Sequence, residues 1–147
     1  MRIATTSDAE QVGRLLHDFN REFEAPTPAP EILAARLQRL MAAGDTTVLL
    51  AGEGPDGLVV LRYRPAIWTE ALECWLAELY VTPQRRGRGL GRELLEAAID
   101  QARKHGADRM ELATGLDDSA ARSLYERLGF SKGSGDDVTY FYERELR

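Results

Sequence analysis

The stretch LYVTPQRRGRGLGRELLEAAIDQARKHG, Leu79–Gly106, decides how the rest of the chain is read. An apolar strand closes on Leu79, Tyr80 and Val81, and Pro83 opens a run in which Arg85, Arg86, Arg88 and Arg92 alternate with Gly87, Gly89 and Gly91. A helical pattern follows at once. Strand, glycine loop and helix together present free backbone N–H groups and a positive dipole end to an anion. Glycine removes the Cβ atoms that would hold a phosphate away and permits turns that other residues resist. The stretch therefore points to a diphosphate site. A P-loop is excluded, because it needs a lysine in its signature and none lies before Lys104. A dinucleotide fingerprint is excluded too: the glycines run G-x-G-x-G and stand past mid-chain, whereas a G-x-G-x-x-G usually opens a first βαβ unit.

Outward from this stretch, the 147 residues suit one domain, 1–147, with a substantial core. A single cysteine, Cys74, excludes an intramolecular disulfide and reads as a small core residue. The N-terminus has no apolar leader segment and no run reaches membrane-spanning length, so a cytoplasmic protein without membrane contact is expected. A net charge of −5 argues against broad affinity for nucleic acid and makes the arginine run a local feature.

In chain order, Arg2–Thr5 suits a short strand and Ser7-Asp8-Ala9-Glu10 a capping box. Val12, Leu15, Leu16, Phe19 and Phe23 then recur at helical spacing, with His17 on the exposed side. The prolines of Ala25–Pro30 stop that helix. A second helix carries Leu33, Leu37, Leu40 and Met41 on one face and ends at Gly44. Thr46–Glu53 and Gly57–Arg64 form a hairpin around Gly54-Pro55-Asp56-Gly57. Leu72–Val81 is the long central strand, its alternation placing Trp75, Leu79 and Val81 on one side and Leu76, Glu78 and Tyr80 on the other. The helix after the arginines buries Leu90, Leu94, Leu95, Ala98 and Ala102, and His105 closes it as a cation at the C-terminal dipole end. Arg109–Thr114 is a strand, and Asp117 or Asp118 caps a helix with Ala121, Leu124, Tyr125 and Leu128 on one face. Beyond the Lys132–Asp137 turn, Val138–Glu143 makes a last strand.

Two motifs carry a family resemblance. Gln84-Arg85-Arg86-Gly87-Arg88-Gly89, preceded by LYVTP, resembles the acyl-CoA signature [QR]-x-x-G-x-[GA] of the GNAT superfamily of N-acyltransferases. DSAARSLYERLGF, Asp118–Phe130, resembles the second motif of that family, with Asp118 in place of its asparagine. The resemblance implies an α+β fold with a mixed, mostly antiparallel sheet, flanked by about four helices and splayed between two parallel strands. Leu72–Val81 and Arg109–Thr114 would be those strands, joined by a right-handed crossover. It also implies acetyl-CoA as co-substrate and no metal. Its pyrophosphate would be held by backbone N–H groups of Arg86, Gly87, Arg88, Gly89, Leu90, Gly91 and Arg92. Leu79 and Val81 would run beside the pantetheine, with the Val81 N–H on the acetyl carbonyl and Asp118 and Tyr125 near the sulfur.

The implied reaction is direct attack of an amine on the thioester. An alkyl amine with a pKa of about 10.4 arrives charged and must lose a proton. Glu78 is the first candidate base and Glu73 the second, the alternative for Glu78 being an ordinary exposed or ion-paired strand residue. Tyr125 would protonate the departing thiolate, the alternative being a tyrosine packed in the core. Glu22, Glu24, Glu31, Trp68, Glu70 and Glu73 lie in the segments that set the acceptor in this family. They suit a small cationic amine, and also a protein lysine or N-terminus. A non-catalytic acyl-CoA-binding module and a nucleic-acid-binding arginine run stay open as other classes, and a homodimer is compatible with all of them.

Overall fold

The computed structural model describes residues 1–133 and 137–147, in two compact units, Met1–Glu111 and Leu112–Arg147. The first unit holds a five-stranded sheet in the order β1 (Arg2–Ile3), β2 (Thr46–Ala51), β3 (Gly57–Pro65), β4 (Leu72–Val81), β5 (Ala107–Glu111). All neighbours are antiparallel except β4 and β5, which are parallel and joined through helix α3 (Leu90–Lys104). Helices α1 (Ala9–Glu22) and α2 (Pro30–Ala42) precede the sheet proper. This is the mixed, mostly antiparallel sheet that the resemblance implied.

The core has two sides. Val12, Leu15 and Leu37 of the first two helices pack on Val48, Leu50, Leu58, Val60 and Tyr80. On the opposite face α3 buries Leu94, Leu95, Ala98 and Ala102, as its spacing required. His105 has a more specific job than a dipole partner, stacking on Tyr63 with ring centroids 4.0 Å apart. Cys74 is buried, and burial pushes its thiol pKa up to about 11.

Several boundaries differ from expectation. The box that starts the first helical segment is Thr5–Asp8 rather than Ser7–Glu10: Asp8 accepts from the Thr5 N–H at 2.8 Å and is also gripped by Arg2, so one carboxylate serves both. Phe23 lies past the end of α1 and is exposed, and His17 is half-buried instead of exposed. The strand expected over Arg109–Thr114 is Ala107–Glu111. The alternation assigned to β4 also fails, because Val60 pairs Glu78 while Leu61 pairs Leu76, leaving Ala77 as an extra residue. This β-bulge reverses the phase. Directly opposed residues share a face, so Leu76 and Leu79 lie with Leu61 and Val59, and Trp75, Glu78 and Tyr80 with Arg62, Val60 and Leu58.

In the second unit α4 spans Ser119–Arg127, capped by Asp118 Oδ1 accepting from the Ala121 N–H at 3.1 Å, with Gly129 at φ 91° just past its end. The turn placed over Lys132–Asp137 falls partly outside the described residues. The strand expected over Val138–Glu143 is not formed: no described residue of Leu112–Arg147 is in a strand that could pair with it, and Val138, Tyr140, Phe141 and Tyr142 are exposed. No helix among the described residues is long and apolar enough to cross a membrane.

Candidate active site

The site begins where β4 loses its parallel partner. Pairing with β5 runs from Leu72–Ala107 to Trp75–Glu111 and stops, while β4 continues to Val81 against β3 alone. The Thr82 N–H donates to the Asp56 carbonyl at 2.9 Å, which sets the phase of the antiparallel ladder. Glu78 and Tyr80 direct their backbone groups at β3; Leu79 and Val81 direct theirs at the open side. The Val81 carbonyl is met there by Arg86 Nε at 3.0 Å.

Beyond Val81 a 3-10 turn over Pro83–Arg85 leads into the glycine loop and α3. The first helical bond runs from the Glu93 N–H to the Gly89 carbonyl. Among the described residues, the N–H groups of Gly87 through Arg92 therefore have no acceptor. Gly87 and Gly89 have φ of 77° and 80°, a left-handed backbone that side chains resist. A Cβ at either would meet no protein atom within 4 Å, so it would stand in open space. Consecutive free donors at the head of a fifteen-residue helix, in a cradle that Cβ atoms would fill, fit a diphosphate.

The arginine side chains are less available than their number suggested. Arg85 pairs with Asp56 at 3.2 Å, Arg86 with Glu22 at 2.8 Å and Arg92 with Glu96 at 2.9 Å. Among the described residues only Arg88 of the four has no ion pair. An anion at this loop would thus meet mainly backbone donors. Only the Arg92–Glu96 pair, at i,i+4, was legible from spacing.

Glu78 lies on the face shared with Val60 and Tyr80, and the bulge turns Leu76 away from that face and Trp75 onto it. Glu78 is exposed, yet the protein around its carboxyl raises the pKa above the ordinary carboxylate value. No hydrogen bond or ion pair among the described residues holds it. Glu73, the second candidate, is tied to Arg64 of its cross-strand pair at 2.6 Å. One residue of the acidic set has a place that its sequence position did not disclose: Glu22 accepts from the Tyr80 hydroxyl at 3.1 Å. Phe19 stacks on the Tyr80 ring at 4.8 Å, and burial with the Glu22 charge pushes the Tyr80 pKa up to about 12. Trp68 and Glu70 lie in the β3–β4 connection, at the start of β4. The six residue steps from Leu72 to Glu78 span roughly 20 Å, so these two stand at the far end of the strand from its open edge. In the second unit, Tyr125 and Phe130 meet edge to face at 5.9 Å, and burial raises the Tyr125 pKa. Asp118 uses one oxygen as the α4 cap, a bond the amide oxygen of the family's asparagine would make equally well.

Comparison with known proteins agrees with this geometry. The model of the acetyltransferase (GNAT) family matches residues 12–130. The uncharacterized N-acetyltransferase YhfO of Bacillus subtilis (strain 168) is 30% identical over 137 residues, covering 92% of this chain and 91% of that protein. A mycothiol acetyltransferase of Thermobispora bispora is 33% identical over 132 residues; the match covers 86% of this chain but only 39% of that longer protein. A crystal structure from Arthrobacter sp. FB24, of a protein provisionally described as an acetyltransferase, superposes with a TM-score of 0.92 at 46% identity, over 99% of this chain and 94% of that one.

Proposed function

We propose, from the premise that this chain belongs to the acetyltransferase (GNAT) family, that it acetylates a small cationic amine from acetyl-CoA in a ternary complex, as one domain over residues 1–147. The observation that carries this is the row of unpartnered N–H groups from Gly87 to Arg92 beside the open edge of β4. Acetyl-CoA supplies a thioester whose acetyl carbon forms a C–N bond with the amine as its C–S bond breaks. The amides of Gly87 to Arg92 hold the diphosphate end, the Arg86 N–H expected among them being taken by the Pro83 carbonyl, and backbone groups of Leu79 and Val81 line the pantetheine arm. The Val81 N–H faces the acyl oxygen as negative charge builds there.

Glu78 takes the proton from the incoming ammonium, directly or through water. Its raised pKa brings it nearer the amine than an ordinary carboxylate, and no cation among the described residues pairs with it. Tyr125 gives its phenolic proton to the departing thiolate; the match of Ala121, Leu124, Tyr125, Leu128, Gly129 and Phe130 to the family's second motif supports this role. Asp118 lies along the pantetheine by the same motif. The name of the mycothiol acetyltransferase relative supports a small molecule. A panel of polyamines, amino sugars, amino acids and lysine peptides, assayed for free CoA thiol, tests this. Turnover confined to peptides would move the acceptor to protein, and CoA binding without turnover on any amine would make the chain a binding module.

A further inference from the structure

Glu22 ends α1, yet its contacts lie on residues 58 and 64 positions downstream. Its Oε1 accepts from Arg86 Nη2 at 2.9 Å and from the Tyr80 hydroxyl at 3.1 Å, and its Oε2 lies 2.8 Å from the same Arg86 nitrogen as an ion pair. The same guanidinium lies 5.7 Å from the Tyr80 ring centroid and donates through Nε to the Val81 carbonyl at 3.0 Å. That carbonyl belongs to the Val81–Thr82 peptide, whose N–H is held by the Asp56 carbonyl at 2.9 Å. One peptide plane is thus pinned at both ends, where β4 turns into the glycine loop. Within the loop itself the backbone offers only the Arg85 N–H to Thr82 bond at 2.9 Å and the Arg86 N–H to Pro83 bond at 3.4 Å. A loop with two left-handed glycines and so few internal bonds takes its shape from its anchors.

We propose that Glu22 is a positioning residue for the donor site: by holding Arg86 on the Val81 carbonyl it fixes the corner that aims the free amides of the loop and the Val81 N–H. The proposal rests on the acyltransferase function argued above. The Glu22–Arg86 pair is partly exposed, so its own contribution to stability is small; its effect lies in pre-organisation, which improves affinity by removing ordering costs. Arg86 spends one nitrogen on Glu22 and one on Val81, and its planar fork makes both bonds compatible in a way a lysine could not. The opposite effect is conceivable on charge alone, since a carboxylate near a diphosphate repels it. The two predict opposite signs.

The test is isothermal titration with coenzyme A of the wild type, Glu22→Gln, Glu22→Asp, Arg86→Met and the Glu22→Gln/Arg86→Met double variant. Glu22→Gln should weaken binding about tenfold, and Glu22→Asp should recover part of that loss. The double variant should bind no more weakly than Arg86→Met alone, because both act on the same corner. In the ligand-free protein the Thr82 amide should exchange several-fold faster in Glu22→Gln, which reads the corner without ligand. Additive losses, unchanged or tighter binding by Glu22→Gln, or unaltered Thr82 exchange would overturn the proposal. If the wild type gave no isotherm with coenzyme A, the donor assignment would fall and take this role with it. Wild-type binding with an unaffected Glu22→Gln removes only the role of Glu22.

Discussion

Gly89→Val separates the fold from the donor site. Gly89 has φ 80°, and a built Cβ meets no protein atom within 4 Å, so the main cost of a side chain there is backbone strain. A left-handed residue other than glycine costs about 1–2 kcal/mol, and a domain of this length loses roughly 2–4 °C in Tm per kcal/mol. The variant should therefore melt roughly 2–8 °C below wild type and remain folded. Coenzyme A at a hundredfold excess over its Kd should stabilise the wild type by about 2.7 kcal/mol, a rise of roughly 5–11 °C on the same scale. In Gly89→Val the branched side chain occupies the opening before the free amides, and most of that rise should vanish. Gly44→Val is the control: Gly44 has φ 86° and an equally open Cβ, but it follows α2. It should pay the same strain and keep the full rise. Differential scanning fluorimetry with and without coenzyme A reads all three proteins. A full ligand shift in Gly89→Val, or an equal loss in Gly44→Val, would refute the assignment of the loop.

Glu78→Gln should depress kcat most at neutral pH and recover at alkaline pH, where free amine is abundant; a loss in KM alone at every pH would assign Glu78 to acceptor binding. Because the protein around its carboxyl partly desolvates Glu78 and raises its folded pKa, its ionised form costs stability above that pKa and nothing below the unfolded value. The Tm of Glu78→Gln should thus exceed wild type at pH 8, with the gap closing as pH falls through the carboxylate range; a gap that persists at low pH contradicts this. Tyr125→Phe should bind coenzyme A normally and slow single-turnover transfer by about 10²-fold, whereas unchanged chemistry would leave Tyr125 a packing residue. Cys74, buried with its thiol pushed up to about 11, should resist iodoacetamide until the protein unfolds; rapid labelling of native protein would contradict its burial.

Local chemistry made part of this legible. β4 matches its expected bounds of Leu72–Val81, and α3 buries Leu94, Leu95, Ala98 and Ala102, because an apolar run and a helical stripe are read from neighbours alone. The glycine loop was recognisable since left-handed φ values at Gly87 and Gly89 demand that residue. The bulge at Ala77 was not, because a single inserted residue is defined by its partner strand, and it is what turns Leu76 away from the Glu78 face and Trp75 onto it. Nor could the partners of Arg85 and Arg86 be seen: Asp56 and Glu22 arrive from a hairpin turn and a helix end distant in sequence. Two plausible boxes overlap near the start of the chain, and the Arg2–Asp8 pair decides for Thr5–Asp8. Val138–Glu143 has the composition of a strand, but composition supplies no partner to pair with.

The most direct measurement is a two-dimensional ¹H–¹⁵N titration of the assigned protein with coenzyme A. Donation to a diphosphate should move the amides of Gly87 through Arg92 the furthest, with Leu79 and Val81 following as the pantetheine lies along the open edge of β4, while β1 and β2 stay in place. Shifts centred on any other surface, or a loop whose amides do not respond at saturating coenzyme A, would contradict the assignment of this site.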